Sequence, residues 1–212
     1  MIYIICRNVE EIKYNLPKEG FKVIVNTCPN NFYGEFGAWL KIYKDAKENN
    51  YENIGVYQAR RYFHKNNLIL TNKDFNLDNT DIYLVKYPLN KHTIYTQFNQ
   101  CHPLYKDLLE NIGLSNNEIY IAKNTNYIFP HNMFYTKFSI FEKMCEYIFN
   151  LAATIKTYKK DDSKILGFLG ERLLSIFVLS NKLKYTCVNC IRINKTTLKI
   201  DDNDLGIEKW PY

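Results

Sequence analysis

The chain has 212 residues, of which 46% are hydrophobic and 24% are charged, and this composition excludes an intrinsically disordered protein. Its formal net charge of +6 is compatible with a nucleotide, polyphosphate or nucleic-acid ligand but identifies none of them. No apolar run approaches the length of a membrane span, and the first one is too short for a signal peptide. We therefore expect a cytoplasmic protein without a membrane span.

The first third of the chain alternates between strand and helix patterns. Short apolar runs predict strands at 3–6 and 21–26, with a brief helical or loop link at 9–14, and apolar spacing predicts a helix from Phe36 to Glu48. The next segment, 53–63, predicts a buried apolar strand that ends in two adjacent arginines, Arg60 and Arg61. This order, with short connections, predicts an α/β sheet.

The rest of the chain is less regular and has no internal repeat or linker-like segment. We expect one domain over residues 1–212, whose abrupt end is compatible with further domains on its C-terminal side. The patterns predict strands at 81–87, 133–135 and 185–193, helices at 104–112, 140–156 and 173–183, an exposed polar stretch at 116–125, a charged loop at 158–163 and a solvent-facing stretch at 201–204.

Motifs of the common cofactor and metal sites are missing from the sequence. It contains no GxGxxG, GxxxxGK[ST] or HExxH and no nucleophile elbow, which argues against dinucleotide oxidoreductases and P-loop NTPases. The one CxxC, Cys187 to Cys190, has no second pair and does not predict zinc. The six cysteines are expected to be structural thiols in a reducing compartment.

Polar residues at predicted strand ends are the candidates for a ligand site. The carboxyl edge of an open α/β sheet is where ligands bind, and Arg is shaped for bidentate phosphate contacts. The alternative is that these residues are solvated charges or exposed turns. The candidates for nucleotide and diphosphate binding are Arg7, Asn8, Tyr57, Gln58, Arg60 and Arg61, with Asn8 placed to read a base edge.

A second group of polar residues follows in the C-terminal half. Gln97, His102 and Asn132 carry neutral hydrogen-bonding groups suited to sugar or acceptor hydroxyls. Glu171 precedes an apolar run and is the candidate catalytic carboxylate. The plainer alternatives are a structural or surface role for His102, and for Glu171 an acid that is favoured in the first turn of a helix by the helix dipole.

Four segments carry a resemblance to a known family. They are Gly34-Glu35 before the first helix, Ile54-Gly-Val-Tyr-Gln-Ala-Arg-Arg-Tyr-Phe63, Asn132-Met-Phe134, and Gly167-Phe-Leu-Gly-Glu-Arg-Leu-Leu174. In this order they resemble the bacterial capsular-polysaccharide glycosyltransferases once grouped as a domain of unknown function. The resemblance implies a GT-A-like fold, with a central mixed, mostly parallel sheet flanked by helices. It also implies a UDP-sugar donor and Mn2+ or another divalent cation.

The chain departs from the family pattern at the arginine segment. Gln58-Ala59 stands where the family usually has a His before Tyr-Arg-Arg, and no Asp-x-Asp, the usual metal motif of GT-A enzymes, is present there. Either the arginines themselves neutralise the leaving diphosphate, or other oxygens, such as those of Asp78 and Asp81, hold a cation. The metal ligands therefore stay unassigned. The length and the Asn, Lys and Tyr bias also resemble glycosyltransferase domains of chlorella viruses, which implies capsid glycan synthesis in the host-cell cytoplasm.

The expected function is transfer of a hexose or deoxyhexose from a UDP-sugar to a glycan or glycoprotein acceptor. Arg60 and Arg61 would stabilise the leaving UDP. Glu171 would be the base of an inverting reaction, or the ion-pairing or nucleophilic partner of a retaining one. The alternatives are a non-catalytic sugar-nucleotide or glycan-binding module and a nucleic-acid-binding domain. The dispersal of the basic residues argues against a nucleic-acid partner.

Overall fold

The computed structural model describes residues 1–12, 19–26, 35–66, 68–158 and 165–193. Short 3-10 helices are formed by Val9–Glu11, Asn72–Asp74 and Pro103–Tyr105. The strands are β1 (Ile2–Cys6), β2 (Phe21–Val25), β3 (Asn53–Gln58), β4 (Arg61–Lys65), β5 (Leu68–Ile69), β6 (Ile82–Leu84), β7 (Tyr87–Pro88), β8 (Tyr127–Ile128), β9 (Phe134–Lys137), β10 (Tyr185–Cys187) and β11 (Asn189–Arg192). The α-helices are α1 (Phe36–Glu48), α2 (Ile94–Cys101), α3 (Leu108–Asn111), α4 (Asn116–Asn124), α5 (Phe138–Tyr158) and α6 (Ile165–Ser180).

The main sheet has the strand order β10-β6-β9-β3-β1-β2. β1 lies parallel to β2 and β3, and β10 lies parallel to β6. β9 is antiparallel to both of its neighbours, β3 and β6. Every strand of this order except β9 therefore runs in one direction, which confirms the predicted mixed, mostly parallel α/β sheet. The carboxyl ends of β1, β2 and β3 meet at one edge.

Both faces of the sheet are covered, as expected for neighbouring parallel strands. In β1 the side chains of Tyr3 and Ile5 enter the larger apolar cluster, which contains the buried faces of the main helices. Ile2 and Ile4 enter a second cluster on the other face, with residues of β4 and β11. With both faces buried, the edges of the sheet are where a ligand has access.

An aromatic group fixes the start of α1 against the sheet. Trp39 is fully buried, and its ring centroid lies 4.7 Å from that of Phe36, 5.3 Å from that of Phe134 in β9 and 5.6 Å from that of Phe141 in α5. Such aromatic pairs stabilise beyond the area that they bury. The residue before α1 and the turn before β9 are thereby held next to each other.

The strand predicted to lead into Arg60 and Arg61 is present as β3, but the chain reverses directly after it. β3 ends at Gln58, a turn is formed by Ala59 and Arg60, and β4 returns antiparallel with Arg61 opposite Gln58. The polar residues interrupt the apolar run and allow the reversal at the sheet edge. The strand predicted at 185–193 is also two strands, since β10 pairs with β6 whereas β11 pairs with β4.

Several other boundaries differ from the predictions. The polar stretch at 116–125 forms α4, which begins with a capping box between Ser115 and Glu118. The helix predicted at 104–112 is interrupted at Asp107, whose φ of 62° is left-handed. The strand predicted at 81–87 ends at Leu84, and Tyr87 belongs to a separate pair formed by β7 and β8.

The remaining predictions are mostly confirmed. The helices predicted at 36–48 and 140–156 and the strands predicted at 3–6 and 21–26 are present within about two residues. α6 begins at Ile165, eight residues earlier than predicted, because 165–172 also belongs to the apolar helix. Residues 159–163 and 201–204 lie outside the described residues. No helix of the described ranges has the length and apolar character needed to cross a membrane.

Candidate functional site

A cavity of about 350 Å³ lies at the edge where β1, β2 and β3 end. Each strand contributes the residues that follow it, and the N-terminus of α1 contributes the residue that precedes the helix. The polar side chains around the cavity are Arg7, Glu11, Asn26, Glu35, Gln58, Arg60 and Arg61. This is the position predicted for a ligand site in an open α/β sheet.

One side of the cavity is strongly basic. Burial lowers the pKa of Arg60, and the neighbouring guanidinium groups of Arg192, Arg61 and Arg7 lower it further, while Glu11 opposes them. The Glu11 carboxylate accepts a hydrogen bond from the backbone N–H of Arg7 at 3.0 Å. The converging guanidinium groups favour the binding of an anion with several oxygens.

The floor of the cavity is a carboxyl group, that of Glu35. The amide nitrogen of Gln58 lies 3.3 and 3.4 Å from its two oxygens, and the amide nitrogen of Asn132 lies 3.4 Å from Oε2. Burial raises the pKa of Glu35 to about 7, with a further contribution from Glu171, although the two amides and Arg61 act in the opposite direction. A carboxyl group with this pKa exchanges a proton near neutral pH.

The turn before β9 connects this carboxyl group to α6. His131 and Asn132 both have left-handed backbone conformations, with φ of 69° and 50°. The Gln58 amide donates to the carbonyl of His131 at 2.5 Å, and the backbone N–H of His131 donates to Glu171 Oε1 at 2.7 Å. The turn is therefore held from both sides by side chains of β3 and α6.

The imidazole of this turn is buried and neutral. His131 is only 6% exposed, and burial, together with the positive charges of Arg61 and Arg192, lowers its pKa to about 3. Its Nε2 lies 3.3 Å from the hydroxyl of Tyr87. A neutral imidazole adds no positive charge to the cavity, which leaves the arginines as its cations among the described lining residues.

A buried arginine completes the polar network behind the turn. Arg172 is 3% exposed. It donates to Gln97 Oε1 from Nη2 at 2.7 Å and from Nε at 3.2 Å, and Nη1 lies 3.4 Å from Glu171 Oε2. His102 contacts the ring of Phe98, and burial and the charge of Arg172 lower its pKa to about 4. Buried charges require such partners.

Gly170 allows α6 to approach the site closely. A Cβ atom at this position would lie 2.3 Å from Cζ of Phe36 and 3.2 Å from Nδ2 of Asn132. The glycine therefore fixes the spacing between α6, the start of α1 and the turn before β9. This is a physical reason for the glycine immediately before Glu171.

The predicted residues fall into two groups. Arg7, Gln58, Arg60 and Arg61 line the cavity together, and Asn132 contacts Glu35 from the buried side. Asn8, Tyr57, Gln97, His102 and Glu171 do not line it.

The contacts of this second group explain their positions. Successive residues of a strand face opposite sides of the sheet, so Tyr57 faces away from its neighbour Gln58. The side chain of Tyr57 is fully buried, and its hydroxyl donates to the carbonyl of Leu70. Asn8 Oδ1 accepts from the backbone N–H of Glu10 and caps the first 3-10 helix. Gln97 is committed to Arg172. The placement of Tyr57 argues against the nucleotide contact predicted for it.

The structural setting predicted for Glu171 is wrong. Because α6 begins at Ile165, Glu171 lies in the second turn of the helix and not in the first, where the helix dipole would favour it. Its carboxylate instead accepts hydrogen bonds from the backbone of His131 and the side chain of Arg172.

Sequence reasoning assigned no role in the site to two of the residues that line the cavity. Glu35 belongs to a segment that carries the family resemblance, and its position directly before an apolar helix was the available signal. Asn26 follows β2 and is 8% exposed. Arg192, which lies opposite Arg61 in the pairing of β11 with β4, was not singled out either, because no local pattern relates two residues so far apart in the chain.

The described residues do not fit a divalent cation. They contain no group of three or more His, Cys, Asp or Glu side chains that could hold a metal. The Asp81 carboxylate accepts from the backbone N–H of Lys184 at the amino end of β6, the opposite edge of the sheet from the cavity. We therefore derive no step through a metal ion.

The fold is that of the GT-A class. The apo structure of the bifunctional glycosyltransferase WbbM matches 89% of this chain and 44% of its own length, with a TM-score of 0.63 and 16% sequence identity. Core-mannan synthase A from Aspergillus fumigatus, in a Mn/GDP form, covers 74% of this chain and 49% of its own with a TM-score of 0.34 and 14% identity, which is too weak to bear on the site.

Residues 26–182 match the family described as Domain of unknown function (DUF4422), and the chain belongs to this family. The chain spans less than half the length of the WbbM structure and of the mannan synthase structure. No curated protein sequence matches it.

Proposed function

We propose that this chain is a glycosyltransferase that moves a hexose or deoxyhexose from a UDP-sugar to a glycan or glycoprotein acceptor. The observation that supports this most is the convergence of Arg7, Arg60 and Arg61 with the Glu35 carboxyl group on one cavity. The cavity lies at the carboxyl edge of a GT-A-like sheet. The choice of uridine and a role in capsid or surface glycan synthesis come from the family resemblance.

Sugar transfer requires stabilisation of the leaving diphosphate, and the arginines suit this role. Guanidinium groups form bidentate hydrogen bonds with phosphate oxygens and keep their charge at any physiological pH. Fixed positive groups at the position where negative charge develops lower the barrier without reorganising solvent. The described site therefore stabilises the leaving group electrostatically.

Transfer also requires a carboxylate near the reacting centre, and Glu35 suits this role better than Glu171. Glu35 lines the cavity and has neutral amide partners at 3.3–3.4 Å. Glu171 is already engaged, with His131 N–H at 2.7 Å and Arg172 at 3.4 Å. We assign Glu35 as the group that accepts the proton of the acceptor hydroxyl, and Glu171 as a positioning residue for the turn.

Sugar transfer forms one bond at the anomeric carbon and breaks another. The acceptor hydroxyl loses its proton to Glu35 and its oxygen forms a bond with the anomeric carbon of the donor. The bond from that carbon to the phosphate oxygen breaks, and its electron pair leaves with UDP, where the arginines receive the charge. Asn132 holds Glu35 from behind. The contact of Asn132 with sugar hydroxyls stays a prediction.

Calorimetric titration of UDP, with GDP and CMP as controls, tests the proposed function. We expect selective binding of UDP that weakens by about 10- to 100-fold in Arg60→Ala. Lys143→Ala removes one positive charge from the exposed side of α5 and is the matched control, with unchanged affinity expected. Repeating the titration with Mn2+ tests the cation implied by the resemblance. Wild-type protein that binds none of the three nucleotides would overturn the proposal.

A further inference from the structure

We infer that β11 supplies a fourth arginine, Arg192, to a diphosphate-binding site formed with Arg7, Arg60 and Arg61. The inference deepens the proposed function, because it names a binding residue of the same cavity. The register of β11 on β4 carries it, since this pairing sets Arg192 directly opposite Arg61.

Side chains directly opposite each other in an antiparallel pair project from the same face of the sheet and lie close together. Arg61 lines the cavity, so its cross-strand partner is directed to the same side. The strand is also fastened at this point, because the backbone N–H of Ile193 donates to the carbonyl of Arg60 at 2.9 Å. Ile193 is only 5% exposed, and its burial anchors the end of β11 beside the turn of Ala59 and Arg60.

The electrostatics of two neighbouring groups agree with this position. Among the charged groups that lower the pKa of Arg60, Arg192 has the largest effect. Arg192 also contributes, after burial and Arg61, to the low pKa of His131. The charge of Arg192 therefore acts both at the turn of Ala59 and Arg60 and at the turn before β9.

The register places the two guanidinium groups of Arg61 and Arg192 side by side. An anion between them can therefore contact both. A diphosphate fits better than a single carboxylate, because it presents several oxygens and more than one negative charge to groups that bind bidentately. The chemical class of ligand is a diphosphate, whether free or attached to a nucleoside.

The test is calorimetric titration of inorganic pyrophosphate, UDP and uridine into the wild-type protein and Arg192→Gln. We expect the variant to bind pyrophosphate and UDP about tenfold more weakly. Uridine lacks the diphosphate, so its binding should not change. Lys184→Gln is the matched control, since it removes an exposed positive charge before β10 at the other edge of the sheet, and both affinities should stay unchanged.

A stability measurement separates a binding role from a structural one. If Arg192 binds the diphosphate, pyrophosphate should raise the unfolding temperature of the wild-type protein more than that of Arg192→Gln, because a ligand stabilises the folded state in proportion to its affinity. A lower unfolding temperature of the ligand-free variant, with an equal rise on addition of pyrophosphate, would show that Arg192 serves the fold and would overturn its binding role.

The outcomes also distinguish this inference from the proposed function. Pyrophosphate binding that depends on Arg192, without selective binding of UDP, would support the diphosphate site and contradict the UDP-dependent enzyme. Selective UDP binding that is within twofold of wild type in Arg192→Gln would support the enzyme and overturn the role of Arg192. Wild-type protein that does not bind pyrophosphate would also overturn it.

Discussion

The cavity at the sheet edge and the polar network behind the turn before β9 lie on two sides of Glu35. They differ in how their charged side chains are used. The cavity gathers Arg7, Arg60 and Arg61 beside open space. The network behind the turn joins Glu171 to Arg172 and Arg172 to Gln97, and the last two of these residues are buried. The first arrangement faces space that a ligand can enter, whereas the second holds two parts of the protein together.

Glu171 has stronger contacts than Glu35, and for that reason it is the weaker candidate for the proton acceptor. The carboxylate of Glu171 accepts from a backbone N–H and from an arginine, and these contacts fix its orientation. The carboxyl group of Glu35 lies beside neutral amides, and burial raises its pKa to about 7. Glu35 is therefore the stronger candidate, although Glu171 has the more conspicuous position in the sequence.

The largest expected effect separates the two carboxylates by activity. Glu35→Gln should lower the rate of UDP release from a UDP-hexose by about 10²- to 10⁴-fold, because it removes the proton acceptor, with little change in UDP affinity. The measurement is steady-state UDP release with titration of UDP as the binding check. Glu48→Gln, at the far end of the same helix, should behave as wild type. A variant at Glu35 that keeps full activity would end the assignment.

Glu171→Gln should act mainly on stability. The change removes the carboxylate that pairs with buried Arg172 and accepts from His131, and we expect a loss of about 2–3 kcal/mol in the free energy of unfolding. Chemical denaturation of the variant checks this. Activity should fall less than in Glu35→Gln at temperatures where both are folded. The reverse order of the two activities, in folded proteins, would return the catalytic role to Glu171.

Two glycines of the same segment provide a matched pair of variants. Gly170→Ala places a Cβ 2.3 Å from Phe36, so we expect a loss of about 1–3 kcal/mol in the free energy of unfolding. Gly167 lies on the same helix, and a Cβ at this position would have no neighbouring atom within 4 Å. Gly167→Ala should therefore increase the free energy of unfolding by up to about 1 kcal/mol. Equal effects of the two changes in thermal melts would contradict the close approach of α6 to the start of α1.

The smallest expected effect is on the pH dependence of stability. Because the folded-state pKa of Glu35 is raised to about 7, the folded protein keeps a proton that the unfolded chain releases above its pKa of about 4.3. Stability is therefore lost as the pH rises through this window, by on the order of 1–2 kcal/mol for a half-buried group.

Glu35→Gln should remove this dependence, so its stability relative to wild type should increase from pH 5 to about pH 7.5. His131, whose pKa is lowered to about 3, acts in the opposite direction: its contribution is present above about 6.5 and is lost as the pH falls. It is common to both proteins, so their difference isolates Glu35. A difference that does not change with pH would contradict the raised pKa.

The open cavity was largely predictable from the sequence. Arg7, Gln58, Arg60 and Arg61 directly follow apolar strands, and parallel strands bring their carboxyl ends to one edge. The predicted α/β class rested on the same local patterns. The reversal after Gln58 was not predicted, since an apolar run on both sides of a short polar interruption has the appearance of one strand.

The network behind the turn before β9 was not predictable, because its hydrogen bonds join distant parts of the chain. Gln97, His131 and Arg172 are brought together by packing of α2, the turn before β9 and α6, and no short spacing indicates this. Arg192 was missed for the same reason, since only the register of β11 relates it to Arg61. Left-handed turns such as that at His131 also carry no strong signal in a sequence without glycine at that point.

The most direct measurement is a crystal structure of the protein with UDP bound. The account predicts the diphosphate in the cavity at the ends of β1 and β3, within hydrogen-bond distance of Arg60 and Arg61, with the Glu35 carboxyl group facing the terminal phosphate. UDP bound at another edge of the sheet, or in this cavity with its diphosphate directed away from the arginines, would contradict the account.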